Sequence, residues 1–223
     1  MENNFKSRSL VIVCVLGPPG AGKGTLCKSA MADFARSPTG YQLYHLSVGD
    51  HLRHLCKSEP PDALKTLDIG KIRSSLAENK LLPADMLNQV LQHWLTSNLD
   101  AANPSPAVLL IDGFPRNMEQ ALAFEDMIAK PAKVIVLECP HDTAQDRYLA
   151  RVREKADDKK RFEKRHGEYV ETMKAISKHY EGITETIYAG GTPDDSYAKF
   201  VEALPLGEIM MKSFTSGGRL YYG

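Results

Sequence analysis

The chain has 223 residues, of which 43% are hydrophobic and 25% are charged. This length suits one α/β domain with insertions, and the composition excludes a collagen-like or disordered chain. The 28 Lys and Arg balance the 28 Asp and Glu, so no overall positive field favours a nucleic acid or a membrane surface as partner. The longest apolar run, Leu10–Leu16, is too short to cross a bilayer and lies near no signal-peptide cleavage site, so a cytoplasmic protein is expected. The four cysteines are scattered without a CxxC pair, which predicts neither a disulfide framework nor a zinc site.

Short β-rich segments alternate with longer amphipathic stretches along the chain. Because parallel strands need long crossovers, this alternation predicts an α/β fold, a five-stranded parallel sheet with helices on both faces. The first and third segments are apolar on both faces, as central strands of such a sheet are. The predicted strands cover Leu10–Leu16, 42–46, 107–111, Lys133–Glu138 and Thr184–Tyr188.

Two intervals interrupt the alternation. No strand candidate lies between residues 47 and 99, where helical patterns over 62–79 and 83–99 predict a small helical insertion. The interval 147–165 is rich in charged residues and predicts a solvated segment. We therefore expect a single domain over residues 1–211, followed by a loose C-terminal tail over 212–223.

The segment GPPGAGKGT at residues 17–25 directly follows the first strand and precedes a helical stretch. Its glycines allow backbone N–H groups to surround a phosphate, the helix N-terminus adds a positive dipole end, and Lys23 supplies a mobile charge. Gly24 stands where such loops usually carry Ser or Thr, which leaves Thr25 as the nearest hydroxyl for Mg²⁺. The predicted phosphate-binding residues are Pro19, Gly20, Ala21, Gly22, Lys23, Gly24 and Thr25.

Two further motifs accompany the loop. They are LSVGDHLR at residues 46–53 and LIDGFPR at 110–116. Together with KGT at 23–25, they resemble the nucleoside monophosphate kinases, the family of adenylate kinase and UMP-CMP kinase. The resemblance covers about residues 11–204 and implies a three-layer P-loop kinase fold, with the insertion at about 47–99 binding the monophosphate and a short lid at about 151–162. It also implies a monomer that transfers the γ-phosphate of ATP to a nucleoside monophosphate with Mg²⁺ as cofactor, giving two diphosphates.

The resemblance assigns the metal and the reaction centre. Asp112 lies at the end of a predicted buried strand, where α/β sheets bind ligands, and with Thr25 it would hold Mg²⁺ mainly through water. Phosphoryl transfer depends on positioning and charge neutralisation, which a ring of cations supplies. The implied ring consists of Lys23, Arg53, Arg116, Arg151 and Arg165, and we expect Lys23, Arg116, Arg151 and Arg165 to be catalytic.

Three more segments extend the resemblance, namely ENKLLP at 78–83, DRYLAR at 146–151 and GTP at 191–193. The first resembles the part of the family that lies against the acceptor base, and the other two resemble the parts that meet ATP. Beyond the phosphate loop, the ATP-binding residues implied are Arg147, Arg151 and Gly191. The acceptor-binding residues implied are Val48, Arg53, Leu82, Gly113, Arg116, Gln120 and Arg165.

The lid departs from the family pattern. Residues 154–158 read EKADD, where the family usually has Gly-Arg-x-Asp-Asp. Lys155 stands where the family has the lid arginine, and it keeps the charge without the bidentate fork of a guanidinium group. Arg153 and Arg161 are the alternative replacements for that arginine. The altered lid also leaves open a second hypothesis, a nucleotide-binding homologue that turns over poorly.

Two sets of residues indicate different acceptor bases. Gln120 stands where adenylate kinases carry a Gln that pairs with adenine, which favours AMP. The sequences Arg116-Asn117 and Glu138-Cys139-Pro140 resemble the UMP-CMP kinases instead. We expect UMP or CMP as the acceptor, with AMP as the alternative.

Overall fold

The computed structural model describes residues 10–36, 42–59, 61–99, 106–151 and 158–205. Within these ranges the strands are β1 (Leu10–Leu16), β2 (Gln42–Ser47), β3 (Ala107–Asp112), β4 (Lys133–Glu138) and β5 (Thr184–Tyr188). They form one parallel sheet in the order β2-β3-β1-β4-β5. The predicted strands are confirmed, and two of them are one residue longer than expected, because β2 continues to Ser47 and β3 to Asp112.

Helices connect the strands. They are α1 (Lys23–Arg36), α2 (Val48–Leu55), α3 (Ile69–Glu78), α4 (Ala84–Asn98), α5 (Met118–Met127), α6 (His141–Ala150), α7 (Lys159–His179) and α8 (Pro193–Ala203). The prediction of one helical stretch over 62–79 was wrong, since a 3₁₀ turn at Asp62–Leu64 precedes α3. The reason is Asp68, whose side chain accepts a hydrogen bond from the Lys71 N–H at 2.9 Å and so caps a new helix.

The two faces of the sheet are covered by different helices. Successive strand residues point to opposite faces, so Ile12 and Val13 enter separate buried clusters. The Val13 cluster includes Phe200 of α8, whereas the Ile12 cluster includes Leu91 of α4 and Phe124 of α5. Helices on both faces of a parallel sheet confirm the three-layer α/β architecture.

The interval between β2 and β3 contains helices and turns without a strand, as far as its described residues extend. Side chains from each of its helices, Leu52, Ile72 and Leu91, join the Ile12 cluster. The insertion therefore shares a core with the sheet, and its position is set by apolar packing.

Several expectations meet the limits of the described ranges. The predicted tail over 212–223 and residues 152–157 of the predicted lid lie outside them. All four cysteines are described, and each is a free thiol. None of the helices in the described ranges combines the length and the hydropathy needed to span a bilayer.

Candidate active site

The carboxyl ends of β1, β2 and β3 meet at one edge of the sheet. In the strand register, Asp112 lies beside Val15 of β1 and Ser47 of β2. Such an edge is where α/β sheets bind ligands, because the crossovers leave a crevice there. A cavity of about 950 Å³ opens at this edge. The cations that line it are Lys23, Arg36, Arg53, Lys80, Arg116, Arg147, Arg151 and Arg165.

The phosphate loop forms one wall of this cavity through its backbone. Gly20 and Gly22 have φ angles of 87° and 91°, which residues with a Cβ rarely adopt. At Gly20 a Cβ would also overlap the carbonyl group of Ala144 in α6. The loop is thus pressed against α6, and its conformation depends on glycine at both positions.

Lys23 begins α1 directly after the loop and turns back over it. Its Nζ donates to the carbonyl oxygens of Gly17 at 2.8 Å and Pro18 at 2.9 Å. Desolvation in the cavity lowers the pKa of Lys23 to about 8, although the charge of Asp112 opposes this fall. The ammonium is therefore held above the loop, at the end of a side chain that can exchange these carbonyls for phosphate oxygens.

Asp112 is a buried carboxyl group, 7% exposed, at the end of β3. Burial opposes its ionisation, but His45, Lys23 and Ser47 together outweigh burial and hold the pKa of Asp112 below its usual value. The Nε2 of His45 lies 3.6 Å from Oδ2 of Asp112. A buried, ionised carboxylate in the same cavity as the Thr25 hydroxyl fits Mg²⁺, which takes oxygen ligands and keeps several waters. In the described ranges, no cluster of three His, Cys, Asp or Glu side chains is placed to hold a metal.

Two arginines converge at the start of α2. A Cβ on Gly49 would lie 3.3 Å from Nη2 of Arg53 and 3.7 Å from Nη2 of Arg116, so both guanidinium groups lie close to this glycine. Arg53 is paired with Asp50, and Nε of Arg116 donates to the Gly113 carbonyl at 3.0 Å. Desolvation, followed by the charge of Arg165, lowers the pKa of Arg116 to about 10. Two guanidinium groups beside a helix N-terminus are an arrangement that can bind a phosphate.

Arg151 and Arg165 come from different helices and meet at one aromatic ring. Tyr148 of α6 is fully buried, and its ring centroid lies 4.2 Å from Cζ of Arg151 and 5.8 Å from Cζ of Arg165. Both distances are within the range of cation–π attraction. The ring is itself fixed by Phe162 of α7, with centroids 5.4 Å apart. The two arginines are thus oriented by a shared aromatic side chain.

Arg147 connects α6 to the loop that precedes α8. Its Nη1 donates to the Ala189 carbonyl at 2.6 Å and its Nη2 to the Gly191 carbonyl at 2.9 Å. Nη1 also contacts the Cys139 sulfur at 3.8 Å. The planar guanidinium is therefore held rigidly beside Gly191, as a surface on which a base can stack.

Gln120 lies in α5, 2% exposed, beside a second and smaller cavity that Val48 and Leu82 also line. Its Oε1 accepts from the Arg116 N–H at 3.1 Å, and its Nε2 donates to the Leu82 carbonyl at 3.3 Å. A backbone N–H can only donate and a carbonyl can only accept, so these partners fix which end of the amide is oxygen. Among the described residues the amide has no further partner, so one N–H and one lone pair remain for a ligand.

The sequence model of the adenylate kinase family matches residues 15–185 of the chain. The chain belongs to the adenylate kinase family. Among its relatives, UMP-CMP kinase 3 of Oryza sativa subsp. japonica is 32% identical over 181 residues, which is 80% of this chain and 77% of the relative. Uridylate kinase of Saccharomyces cerevisiae is 30% identical over 82% of this chain and 84% of its own length. Adenylate kinase 1 of Drosophila melanogaster is 31% identical over 86% and 79%. The resemblance to nucleoside monophosphate kinases, a family of phosphotransferases, is confirmed.

Nearly all residues that the family resemblance assigned come together at this edge of the sheet, although their individual roles stay predictions. The first cavity is lined by Pro19, Gly20, Ala21, Gly22, Lys23, Gly24, Thr25, Arg53, Asp112, Gly113, Arg116, Arg147, Arg151 and Arg165. The second cavity is lined by Val48, Arg53, Leu82, Gly113, Arg116, Gln120 and Arg165. Gly191 lines neither cavity and is joined to the first through Arg147.

Some neighbours of the family's motifs were not anticipated. His45 faces Asp112 from β2, and the alternation of that strand, with His45 and Ser47 on one face, was the available signal. Tyr148 lies three residues before Arg151, one helical turn away, which was the signal for their contact. Of the alternatives for the missing lid arginine, Arg161 donates to the Leu76 carbonyl of α3 at 2.9 Å. Arg153 and Lys155 lie outside the described residues.

Proposed function

We propose that the protein transfers the γ-phosphate of ATP to a nucleoside monophosphate, with UMP or CMP as the preferred acceptor. The observation that carries this proposal is the convergence of cations from several elements on one cavity beside the ionised Asp112. Phosphoryl transfer needs such an arrangement, because charge spreads over the oxygens of the transferred group. The cations are Lys23, Arg53, Arg116, Arg151 and Arg165.

At the donor end, the phosphate loop and the N-terminus of α1 would bind the phosphates of ATP. Lys23 would leave the carbonyls of Gly17 and Pro18 and pair with the β and γ oxygens. Arg147, held to the carbonyls of Ala189 and Gly191, supports a stacking site for the adenine. When bound by Asp112 and Thr25, Mg²⁺ would supply charge neutralisation on the donor phosphates.

At the acceptor end, Arg53 and Arg116 would bind the monophosphate near Gly49. The acceptor phosphate is an anion at neutral pH, so its oxygen needs no general base to act as nucleophile. Arg151 and Arg165, which line the same cavity, would stabilise the negative charge that moves from donor to acceptor. Excluding water from this cavity prevents hydrolysis of the activated phosphate.

The preference for a pyrimidine is supported by the relatives, whereas Gln120 can pair with cytosine or with adenine. Cytosine presents an amino group beside a ring nitrogen, and the fixed amide can accept from the first and donate to the second. Adenine also presents an amino group beside a ring nitrogen, on a larger base. Uracil presents a ring N–H beside a carbonyl, so it must bind in a shifted position to form two hydrogen bonds with the amide. Relatives named UMP-CMP kinase and uridylate kinase match over most of the chain. We therefore expect CMP to be the best acceptor, followed by UMP.

The test is diphosphate formation by the purified protein with Mg·ATP and, in parallel, CMP, UMP, AMP and GMP. Lys23→Ala is the control for contaminating kinases. Faster turnover of CMP and UMP than of AMP supports the proposal. A preference for AMP would instead identify an adenylate kinase, with Gln120 as the residue that pairs with adenine.

Replacing Gln120 tests whether this residue recognises the base of the acceptor, because its side chain is not proposed to bind the acceptor phosphate. Gln120→Ala should raise the KM for the acceptor and change the ranking of the four monophosphates, while the KM for ATP stays constant. An unchanged ranking would contradict the assignment of Gln120 to the base. Glu119→Ala, at the exposed neighbouring position on the same helix, is the matched control.

The sequence EKADD at 154–158 favours one alternative, a homologue that binds nucleotides and turns over poorly. Binding of both ATP and a monophosphate without diphosphate formation would support that alternative. The placement of Lys23, Asp112 and Arg116 in one cavity argues for turnover. The proposal also includes a cytoplasmic monomer with one domain over 1–211 and a lid over about 151–162, and sedimentation of the purified chain tests the monomer.

A further inference from the structure

Helix α7 reaches the acceptor insertion through two side chains that the proposed chemistry does not use. Nη2 of Arg161 donates to the Leu76 carbonyl at 2.9 Å, and Nζ of Lys164 donates to the Glu78 carbonyl at 3.2 Å. Resting on the proposed function, we propose that Arg161 and Lys164 are positioning residues that hold the segment 79–82 in place for the monophosphate and couple its binding to that of ATP.

The two carbonyls belong to the last turn of α3. The final carbonyls of a helix form the negative end of its dipole and lack partners in a following turn, although the Leu76 carbonyl also accepts from the capping Asn79 N–H at 3.3 Å. Positive side chains that donate to them are therefore doubly favourable. α3 ends at Glu78, and its capping residue Asn79 has a left-handed backbone with φ of 57°. Arg161 and Lys164 thus hold the helix end just where the chain changes direction.

The segment that leaves α3 leads directly to the acceptor cavity. Leu82 follows Asn79 by three residues, and its carbonyl accepts from Nε2 of Gln120. Arg161, Leu82 and Gln120 all line the second cavity. A shift of the end of α3 would therefore move the Leu82 carbonyl and alter the amide that is proposed to pair with the base.

The other end of the connection lies at the reaction centre. Arg161 is in the first turn of α7, and its N–H donates to the capping carboxylate of Asp158 at 2.7 Å. One turn later the same helix carries Arg165, which lines both cavities. Because one rigid helix holds both residues, a nucleotide that orders Arg165 also orders Arg161 and the segment it contacts. The consequence is positive coupling between donor and acceptor, which is reciprocal by thermodynamic necessity.

The experiment compares Arg161→Ala and Arg161→Lys with Lys160→Ala, which removes the same charge from an exposed neighbouring position. Calorimetry measures binding of CMP, UMP and AMP alone and with a non-hydrolysable ATP analogue. Loss of a charged hydrogen bond should weaken monophosphate binding on the order of tenfold in Arg161→Ala, with a smaller loss in Arg161→Lys. Binding of the ATP analogue alone should not change, and its enhancement of monophosphate binding should fall.

A second measurement does not depend on activity. Amide hydrogen exchange in the free protein should be faster over residues 76–82 in Arg161→Ala, and unchanged in Lys160→Ala. Wild-type exchange and wild-type monophosphate affinity in Arg161→Ala would overturn the proposal. An equal loss of affinity for both nucleotides with a lower melting temperature would also overturn it, since that pattern indicates general destabilisation. If the wild-type protein binds none of the monophosphates, the proposed function itself fails and this proposal fails with it.

Discussion

The proposed donor end and the proposed acceptor end of the cavity are built in different ways. At the donor end, consecutive residues of one loop present backbone groups, and glycines at 20 and 22 allow the backbone to take positive φ angles. At the acceptor end, side chains from distant parts of the chain meet, such as Arg53 of α2, Arg116 after β3 and Gln120 of α5. The donor end is therefore specified locally, whereas the acceptor end exists only once the tertiary structure has formed.

This difference predicts how each end responds to substitution. A site made of backbone N–H groups depends on one loop conformation. A single added methyl group that changes this conformation should therefore abolish phosphate binding. A site made of side chains loses one interaction at a time, and its losses should be graded. The variants below test this contrast, and the largest expected effect comes first.

The largest effect is expected at Gly20. A Cβ in Gly20→Ala would overlap the Ala144 carbonyl, and the φ of 87° strains any residue with a side chain. We expect destabilisation of more than about 3 kcal/mol and loss of ATP binding. Thermal denaturation and titration with an ATP analogue measure both effects.

The matched control for that variant is Gly167→Ala in α7. Apart from its chain neighbours and the backbone of α7 itself, no atom lies within 4 Å of a Cβ at Gly167, and alanine is the better helix former by about 0.5–1 kcal/mol. This variant should therefore be slightly more stable than wild type. If Gly20→Ala bound ATP normally, the donor end would not depend on its backbone conformation.

Arg116 tests the acceptor end. Arg116→Lys keeps the charge and loses the planar fork, including the Nε that donates to the Gly113 carbonyl. We expect kcat/KM for the monophosphate to fall by about 100-fold, with the stability unchanged within about 1 kcal/mol. Steady-state kinetics with the monophosphate varied gives the first quantity, and urea denaturation gives the second.

A loss of ATP binding in Arg116→Lys as complete as that in Gly20→Ala would erase the contrast between the two ends. Arg73→Lys, at an exposed arginine of α3 that lines neither cavity, controls for the exchange itself.

Tyr148 joins the two ends by orienting Arg151 and Arg165. Tyr148→Phe keeps the aromatic face, whereas Tyr148→Leu removes it and keeps an apolar side chain. Cation–π attraction of this size predicts a fall in kcat of about tenfold for Tyr148→Leu and of less than about threefold for Tyr148→Phe. The kcat of each variant is measured below its melting temperature, so that unfolding does not contribute to the fall. Equal kcat values would show that the ring only fills space.

The smallest effect is expected at the exposed junction of α6 and α7. His141 lies 3.1 Å from both Asp142 and Glu163, and these hydrogen bonds raise the pKa of His141. Burial, and then the charge of His141, lowers the pKa of the neighbouring His166. A histidine with a raised pKa in the folded state stabilises the protein below its unfolded pKa, and this contribution is lost as the pH rises through the folded pKa.

His141→Gln should therefore lower the melting temperature at pH 5.5 or so, and have no effect near pH 9. Because the His141–Glu163 pair is exposed, the difference in melting temperature between variant and wild type at low pH should be small and should decrease further in high salt. A deficit that grows with pH would contradict the assignment. His54→Gln, an exposed histidine of α2, is the control.

The same contrast explains what the sequence predicted. The strands, the phosphate loop and Asp112 were recognisable because each depends on a few adjacent residues. The start of α3 at Ile69 was missed, since the cap at Asp68 competes with a helical pattern that continues before it. The contacts of Tyr148 with Arg165 and of Arg161 with Leu76 join residues far apart in the chain. No local pattern encodes such pairs, because they depend on how the helices pack.

The close fit of Gly20 against Ala144 has a mechanical consequence. Elements in close contact resist sliding past one another, so we expect the phosphate loop and α6 to move as one body. That body includes Arg147 and the loop carbonyls to which it is bound. We therefore expect any opening motion that admits a nucleotide to come from the other side of the cavity, where α7 meets the end of α3.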